Sequence, residues 1–213
     1  MNFWKQNLGS VPEAVWQQPE METLVLADNR LTEVPDAIGS LQHLRMLDLG
    51  HNLLTHLPEA LGSLVGLSGF LYLHDNHLTA LPDSLRRLQR LRYLNIGGNR
   101  FSELPECVCK MQSLIELRAD GNQLASLPES IGGLRQLREL HLRNNRLTVL
   151  PESVGELSEL RQLDLRGNPL TSLPASIAVL PKLEKLDLRW VNTLLPFTPW
   201  VLALEQRGCA VYY

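Results

Sequence analysis

Histidine, cysteine and aspartate are the residue types that hold metals or serve as nucleophiles, and two places in this chain concentrate them. His51, His74, Asp75 and His77 fall close together, and Cys107 and Cys109 are separated by one valine. A zinc site needs three or four such donors converging at about 2 Å. The spacing of these histidines does not by itself bring them to a point, and the two thiols have no further ligand near them in the chain. No metal, cofactor or catalytic residue is therefore expected. The phosphate loop ending in Gly-Lys-Ser/Thr, the Gly-x-Ser-x-Gly elbow and the His-Glu-x-x-His pair are all missing from the sequence.

Composition narrows the remaining classes. Of 213 residues, 44% are hydrophobic and 20% charged, which is a folding composition rather than a disordered one. A formal net charge of −3 argues against a nucleic-acid partner, which calls for a basic face. The first twenty residues contain no uninterrupted apolar run, and 18 apolar residues never occur together. Neither a secretory signal nor a membrane span is expected. Cys107, Cys109 and Cys209 are odd in number and not spaced as a disulfide framework. A reducing cytoplasm is the expected compartment, and delivery into a host cell is compatible with it.

The elements that position the side chains follow from internal repetition. Leu-Pro or Val-Pro recurs with its proline at Pro12, Pro35, Pro58, Pro82, Pro105, Pro128, Pro151 and Pro174. An independent asparagine ladder runs through Asn29, Asn52, Asn76, Asn99, Asn122, Asn145 and Asn168. Both step by 23 residues, with a single step of 24 that falls in the same repeat. Each unit reads Leu-x-x-Leu-x-Leu-x-x-Asn-x-Leu-Thr-x-Leu-Pro-x-x-Ile-Gly-x-Leu. Leu163 and Leu165 are two apart and so share one face of a short strand. Leu170, Leu173, Ile177 and Leu180 fill the core on the way back. The asparagine amide carries donors and an acceptor, which suits it to backbone groups left unpaired where the strand turns. Proline fixes φ where the return segment begins, and Pro-Glu-Ser-Ile or Pro-Asp-Ala-Ile favours one or two helical turns.

This unit resembles the leucine-rich repeat, in its 23-residue form of the Ras-suppressor and plant intracellular type, which bacteria also use. The resemblance covers nearly the whole chain. It implies an α/β solenoid, a horseshoe with a parallel concave sheet of about nine strands and short helices or 3-10 turns on the convex side. It also implies the roles of most relatives: scaffolds, receptors and targeting modules that bind proteins. One domain, 1–213, is expected: a partial N-terminal repeat at 1–20, regular repeats at 21–182, and a last repeat with a C-terminal cap at 183–213. Phe3 aligns with Leu26 and Leu49, residues 199–207 are helix-like, Gly208 is placed to end that helix, and Cys209–Tyr213 reads as a final strand. The Arg-Gly-Cys-Ala-Val-Tyr ending weakly resembles repeat modules attached to bacterial protein kinases.

In such a solenoid the non-leucine strand positions form solvent-facing stripes about 4.8 Å apart. Met46, Phe70, Tyr72 and Tyr93 fall on three adjacent strands. Aromatic residues and methionine are enriched at interfaces, although aromatics also decorate strands for their own sake. Phe70 sits beside the extra residue in Ser68-Gly69-Phe70, which leaves its register open. Arg118, Arg143, Arg166 and Arg189 suggest an acidic partner or phosphate, yet Glu116, Glu139, Asp164 and Asp187 lie among them and self-neutralisation is the better account. The sequence thus points to a non-catalytic, monomeric module that binds a protein or peptide on its concave face. Its predicted contact residues are Met46, Phe70, Tyr72, His74, Tyr93, Asn95, Arg118, His141 and Arg143. A regulatory or substrate-recruiting domain of a larger enzyme such as a kinase, or a translocated bacterial effector, is the alternative.

Overall fold

Leucines two apart on a strand, repeated every 23 residues, cannot bury themselves singly; stacked units bury them together. The computed structural model, which describes residues 1–191 and 199–213, shows how they do so. Nine strands form one parallel sheet in chain order: β1 (Thr23–Val25), β2 (Met46–Asp48), β3 (Phe70–Tyr72), β4 (Tyr93–Asn95), β5 (Glu116–Arg118), β6 (Glu139–His141), β7 (Gln162–Asp164), β8 (Lys185–Asp187) and β9 (Ala210–Tyr212). In β1 to β8 the central leucine, from Leu24 to Leu186, is buried, and the residues either side of it face outward. Thr23, Met46, Phe70, Tyr93, Glu116, Glu139, Gln162 and Lys185 are direct neighbours across the sheet. The register of Phe70 is thereby settled. Ser68 is the inserted residue: the amide of Gly69 takes the place of Arg45 and Arg92 in the other repeats, donating to Arg45 O at 2.9 Å. A Cβ on Gly69 would stand 2.9 Å from that same oxygen, so glycine is what allows the close approach.

The return path is tight because each segment starts from a proline in extended conformation. Among the described residues, seven 3-10 turns and one four-residue helix, α1 (Glu106–Cys109), all follow such a proline. Their central residues, such as Ile38, Leu61 and Ile131, are fully buried. The convex Glu and Ser side chains are more than solubilising. Glu59 Oε2 accepts from Ser84 N at 3.1 Å while Ser84 Oγ donates to Glu59 O at 2.7 Å. Glu106 and Ser130 form a similar link between neighbouring repeats. Pairs separated by 24 or 25 residues cannot be read from local pattern.

The asparagines are the most constrained polar groups in the molecule. Asn52 Nδ2 donates to Leu26 O, Leu49 O and Gly50 O at 3.0–3.1 Å, and its Oδ1 accepts from Asn29 N and Leu31 N at 3.0 Å. The same arrangement recurs up to Asn168. At the start of the chain Phe3 N donates to Val25 O, and Gln6 N to Asn29 Oδ1, so residues 2–8 stack as a partial repeat. At the other end α2 (Pro199–Gln206) leads through Gly208 at φ +88° into β9. Residues 192–198 of the expected cap lie outside the described residues. No described helix is long and apolar enough to cross a membrane.

Leu140 is fully buried at the centre of β6. Leu140→Ala should destabilise the chain by about 2–5 kcal/mol. Asn145→Ala should also lower stability, because it leaves the amide of Leu124 unpaired and takes one of two asparagine donors from each of the carbonyls of Ala119 and Leu142. Urea unfolding checks both; unchanged midpoints would mean that this register is wrong.

Candidate functional site

Because the leucines point inward, the outward positions of β2 to β5 are free to build a surface. Phe70, Tyr72 and Tyr93 form a contiguous set of rings. Phe70 and Tyr72 stack with centroids 5.8 Å apart and planes 3° from parallel. Tyr93 tilts against both, at 5.3 and 5.1 Å. These separations lie in the range where aromatic pairs attract beyond their buried area. Phe70 is 44% exposed although it sits on a strand. Met46 is the cross-strand neighbour of Phe70, and the Arg118 guanidinium lies 6.0 Å from the Tyr93 ring centre. His74 meets Tyr72 edge-on at 5.9 Å. Burial pushes the Tyr93 hydroxyl pKa up to about 12, with Arg118 partly opposing the rise. Burial and the charge of Asp48 raise that of Tyr72.

The remaining predicted residues stand differently. Asn95 lies beside Tyr72, but its Oδ1 accepts from Gly97 N at 3.0 Å, a local turn bond. His141 belongs to a separate group, with Nε2 3.1 Å from Glu139 and 3.8 Å from Glu116. Glu116 in turn accepts from Arg118 Nε at 2.6 Å. Arg166 is bound in two places by Asp164 and also approaches Asp187, and Arg189 is bound by Asp187. Asp187 is buried, which raises its pKa, yet these arginines bring it below the usual carboxylate value. Most of the arginine stripe is therefore self-neutralised. Arg143 differs: its Nε is buried without a hydrogen-bond partner among the described residues. It lines a depression of about 190 Å³ together with Arg118, Asp120, His141, Asp164 and Arg166. Two sets of metal-ligand type also converge, His51 with His74 and Asp75, and Glu116 with Glu139 and His141, while His77 joins neither.

A leucine-rich-repeat model matches residues 19–69 and 135–194, and a leucine-rich-repeat region model matches 60–140. This chain belongs to the leucine-rich-repeat family. No curated protein matches it in sequence. Among solved structures, this leucine-rich-repeat chain is similar to a leucine-rich-repeat protein of Leptospira interrogans, with 26% identity and a TM-score of 0.74 over 100% of this chain and 66% of that one. It also resembles the leucine-rich-repeat ectodomain of the Arabidopsis thaliana membrane receptor kinase GASSHO1/SCHENGEN3, solved in complex with Casparian strip integrity factor 2. That likeness has 32% identity and a TM-score of 0.65, over 84% of this chain and 25% of the other. An internalin of Listeria monocytogenes shares the fold at 21% identity and a TM-score of 0.80, over 95% of this chain and 57% of its own. The chain spans at most 66% of the length of any of the three.

The leucine-rich-repeat register also exposes residues that pattern reading passed over. Trp190 is 67% exposed at φ +60°, in a rim column where other repeats place Gly98, Gly121 and Gly167. The guanidiniums of Arg166 and Arg189 lie 6.0 and 5.9 Å from its ring, and Lys185 and Arg189 approach Tyr212. A tryptophan at a glycine-type position was the available signal.

The half-buried phenol of Tyr93 gives a direct check on this geometry. In a spectrophotometric titration of the folded chain, Tyr93→Phe should remove a component ionising near pH 12. Loss of a component near pH 10, with the late one retained, would mean that Tyr93 stands in open solvent.

Proposed function

We propose that this chain is a non-catalytic interaction module that binds a protein or peptide on its concave face. The contact is centred on Tyr72 and Tyr93, with Phe70 among them and Met46 and Arg118 at the borders. One observation carries this reading: three aromatic rings lie in mutual contact on the outward side of a sheet that the leucine core already holds rigid. Such a surface loses little ordering entropy on binding, and each tyrosine offers apolar area with a polar tip. The family supports the class of function, since the Arabidopsis ectodomain is itself solved with a bound factor. Arg143, whose buried Nε has no hydrogen-bond partner among the described residues, lines the depression beside the patch and is the place for an acidic group of the partner. The same proposal has the module work as a monomer in a reducing compartment, which suits its three buried free cysteines. Because the chain spans only part of its structural relatives, it serves equally as the recruiting domain of a larger protein.

The test is a pull-down with mass spectrometry followed by affinity measurement on the partner recovered. Tyr72→Ala with Tyr93→Ala should weaken binding by at least about 2 kcal/mol, roughly 30-fold, and leave thermal unfolding nearly unchanged. Full affinity in this variant, together with loss of binding in Arg143→Glu, would move the contact to the C-terminal half and refute the aromatic site.

A further inference from the structure

The rim of the sheet carries a cluster outside the leucine core, and its His74 borders the aromatic patch through Tyr72. His51 and Asp75 occupy equivalent rim positions on neighbouring repeats, at φ +51° and +52°, and His74 directly precedes Asp75. One donor atom from each of the three lies within 4.8 Å of the other two. His51 Nδ1 is 3.3 Å from Asp75 Oδ2, and the two imidazole rings meet edge to face with centroids 4.8 Å apart. The His74 ring lies over Gly50, where a Cβ would stand 2.4 Å from its Cε1. Any larger residue at position 50 would push the ring away. His74 Nδ1 is buried and has no hydrogen-bond partner among the described residues.

A buried polar atom without a partner calls for an explanation. His51 and Asp75, each with a donor atom within 4.8 Å of one on His74, face each other at 3.3 Å. No lysine or arginine pairs with Asp75 among the described residues, so the place of a cation is open. A metal ion would take a lone pair from each ring and one carboxylate oxygen. Two nitrogens and one oxygen suit zinc and its neighbours, whereas magnesium and calcium prefer oxygen throughout. Ligands about 2 Å from a tetrahedral ion stand roughly 3.3 Å apart. The donor atoms already lie within 4.8 Å of one another, one pair of them at 3.3 Å, and the His51 and Asp75 side chains are 56% and 50% exposed. The group of Glu116, Glu139 and His141 is a poorer candidate, because Arg118 already holds Glu116.

We infer that His51, His74 and Asp75 form a binding site for a borderline divalent transition-metal ion such as zinc, with water completing the coordination. The ion joins the rims of the repeats that carry β2 and β3. Titration calorimetry with zinc chloride and with magnesium chloride, on the chain freed of any purification tag, tests this. One zinc per chain should bind and magnesium should not. His51→Ala and His74→Ala should each lower zinc affinity at least tenfold, while His77→Ala and His141→Ala retain it. Zinc should raise the melting temperature of the unaltered chain and leave that of His51→Ala where it was. Absence of saturable zinc binding, a loss smaller than tenfold in His51→Ala, or loss in His141→Ala instead would overturn the site. Because the His51 side chain is exposed, that variant decides the matter even if His74→Ala fails to fold.

Discussion

The whole architecture depends on a buried amide. A turn every 23 residues leaves backbone carbonyls and amides facing the interior, and in an apolar stack no water reaches them. The side chain of one asparagine per repeat meets that demand on both sides of a repeat boundary. Asn99 Nδ2 donates to Leu73 O, Ile96 O and Gly97 O, and Asn99 Oδ1 accepts from Leu78 N. It thus fixes its own turn and the end of the preceding strand at once. Aspartate would lack the donors and leucine both functions. The leucines supply the bulk of the burial, but the asparagine sets the register in which they stack.

That constraint explains where binding chemistry can reside. The inward half of the sheet is committed to leucine, so variation is confined to the outward stripes and the rims. The stripes then partition. Toward the N-terminal end the side chains are aromatic and in contact with one another; toward the C-terminal end Asp164 and Asp187 hold Arg166 and Arg189. Pinned arginines offer a partner little uncompensated charge, whereas Phe70, Tyr72 and Tyr93 offer apolar surface that water solvates poorly. Leu73 O, held by Asn99, immediately follows Tyr72, so the ladder directly supports the most contacted ring of the patch.

Much of this was legible because the repeat declares it. Two ladders with one shared irregularity establish the solenoid, the strand positions and the outward stripes. The pattern could not reach contacts made by side chains whose geometry the backbone alone does not fix. The position of Phe70 depended on whether Ser68 or Phe70 bulges, and only the approach of Gly69 to Arg45 O decides it. The convergence of His51, His74 and Asp75 was likewise hidden, since it needs both the positive φ of the rim and the absence of a Cβ at Gly50. Asn95 and His141 were nominated by stripe membership, and the pattern did not show the local bonds that Asn95 makes with Gly97 N and His141 with Glu139.

Residue-level hydrogen exchange on Asn99→Ala tests the role of the ladder most directly. The account predicts that the Leu78 amide, which Asn99 Oδ1 accepts in the native chain, loses its protection, and that the amides from Leu73 to Leu78 exchange faster along with it. Strands β7 and β8, several repeats away, should keep theirs. Unchanged protection at Leu78, or acceleration spread evenly over all nine strands, would contradict the claim that each asparagine holds its own boundary between repeats.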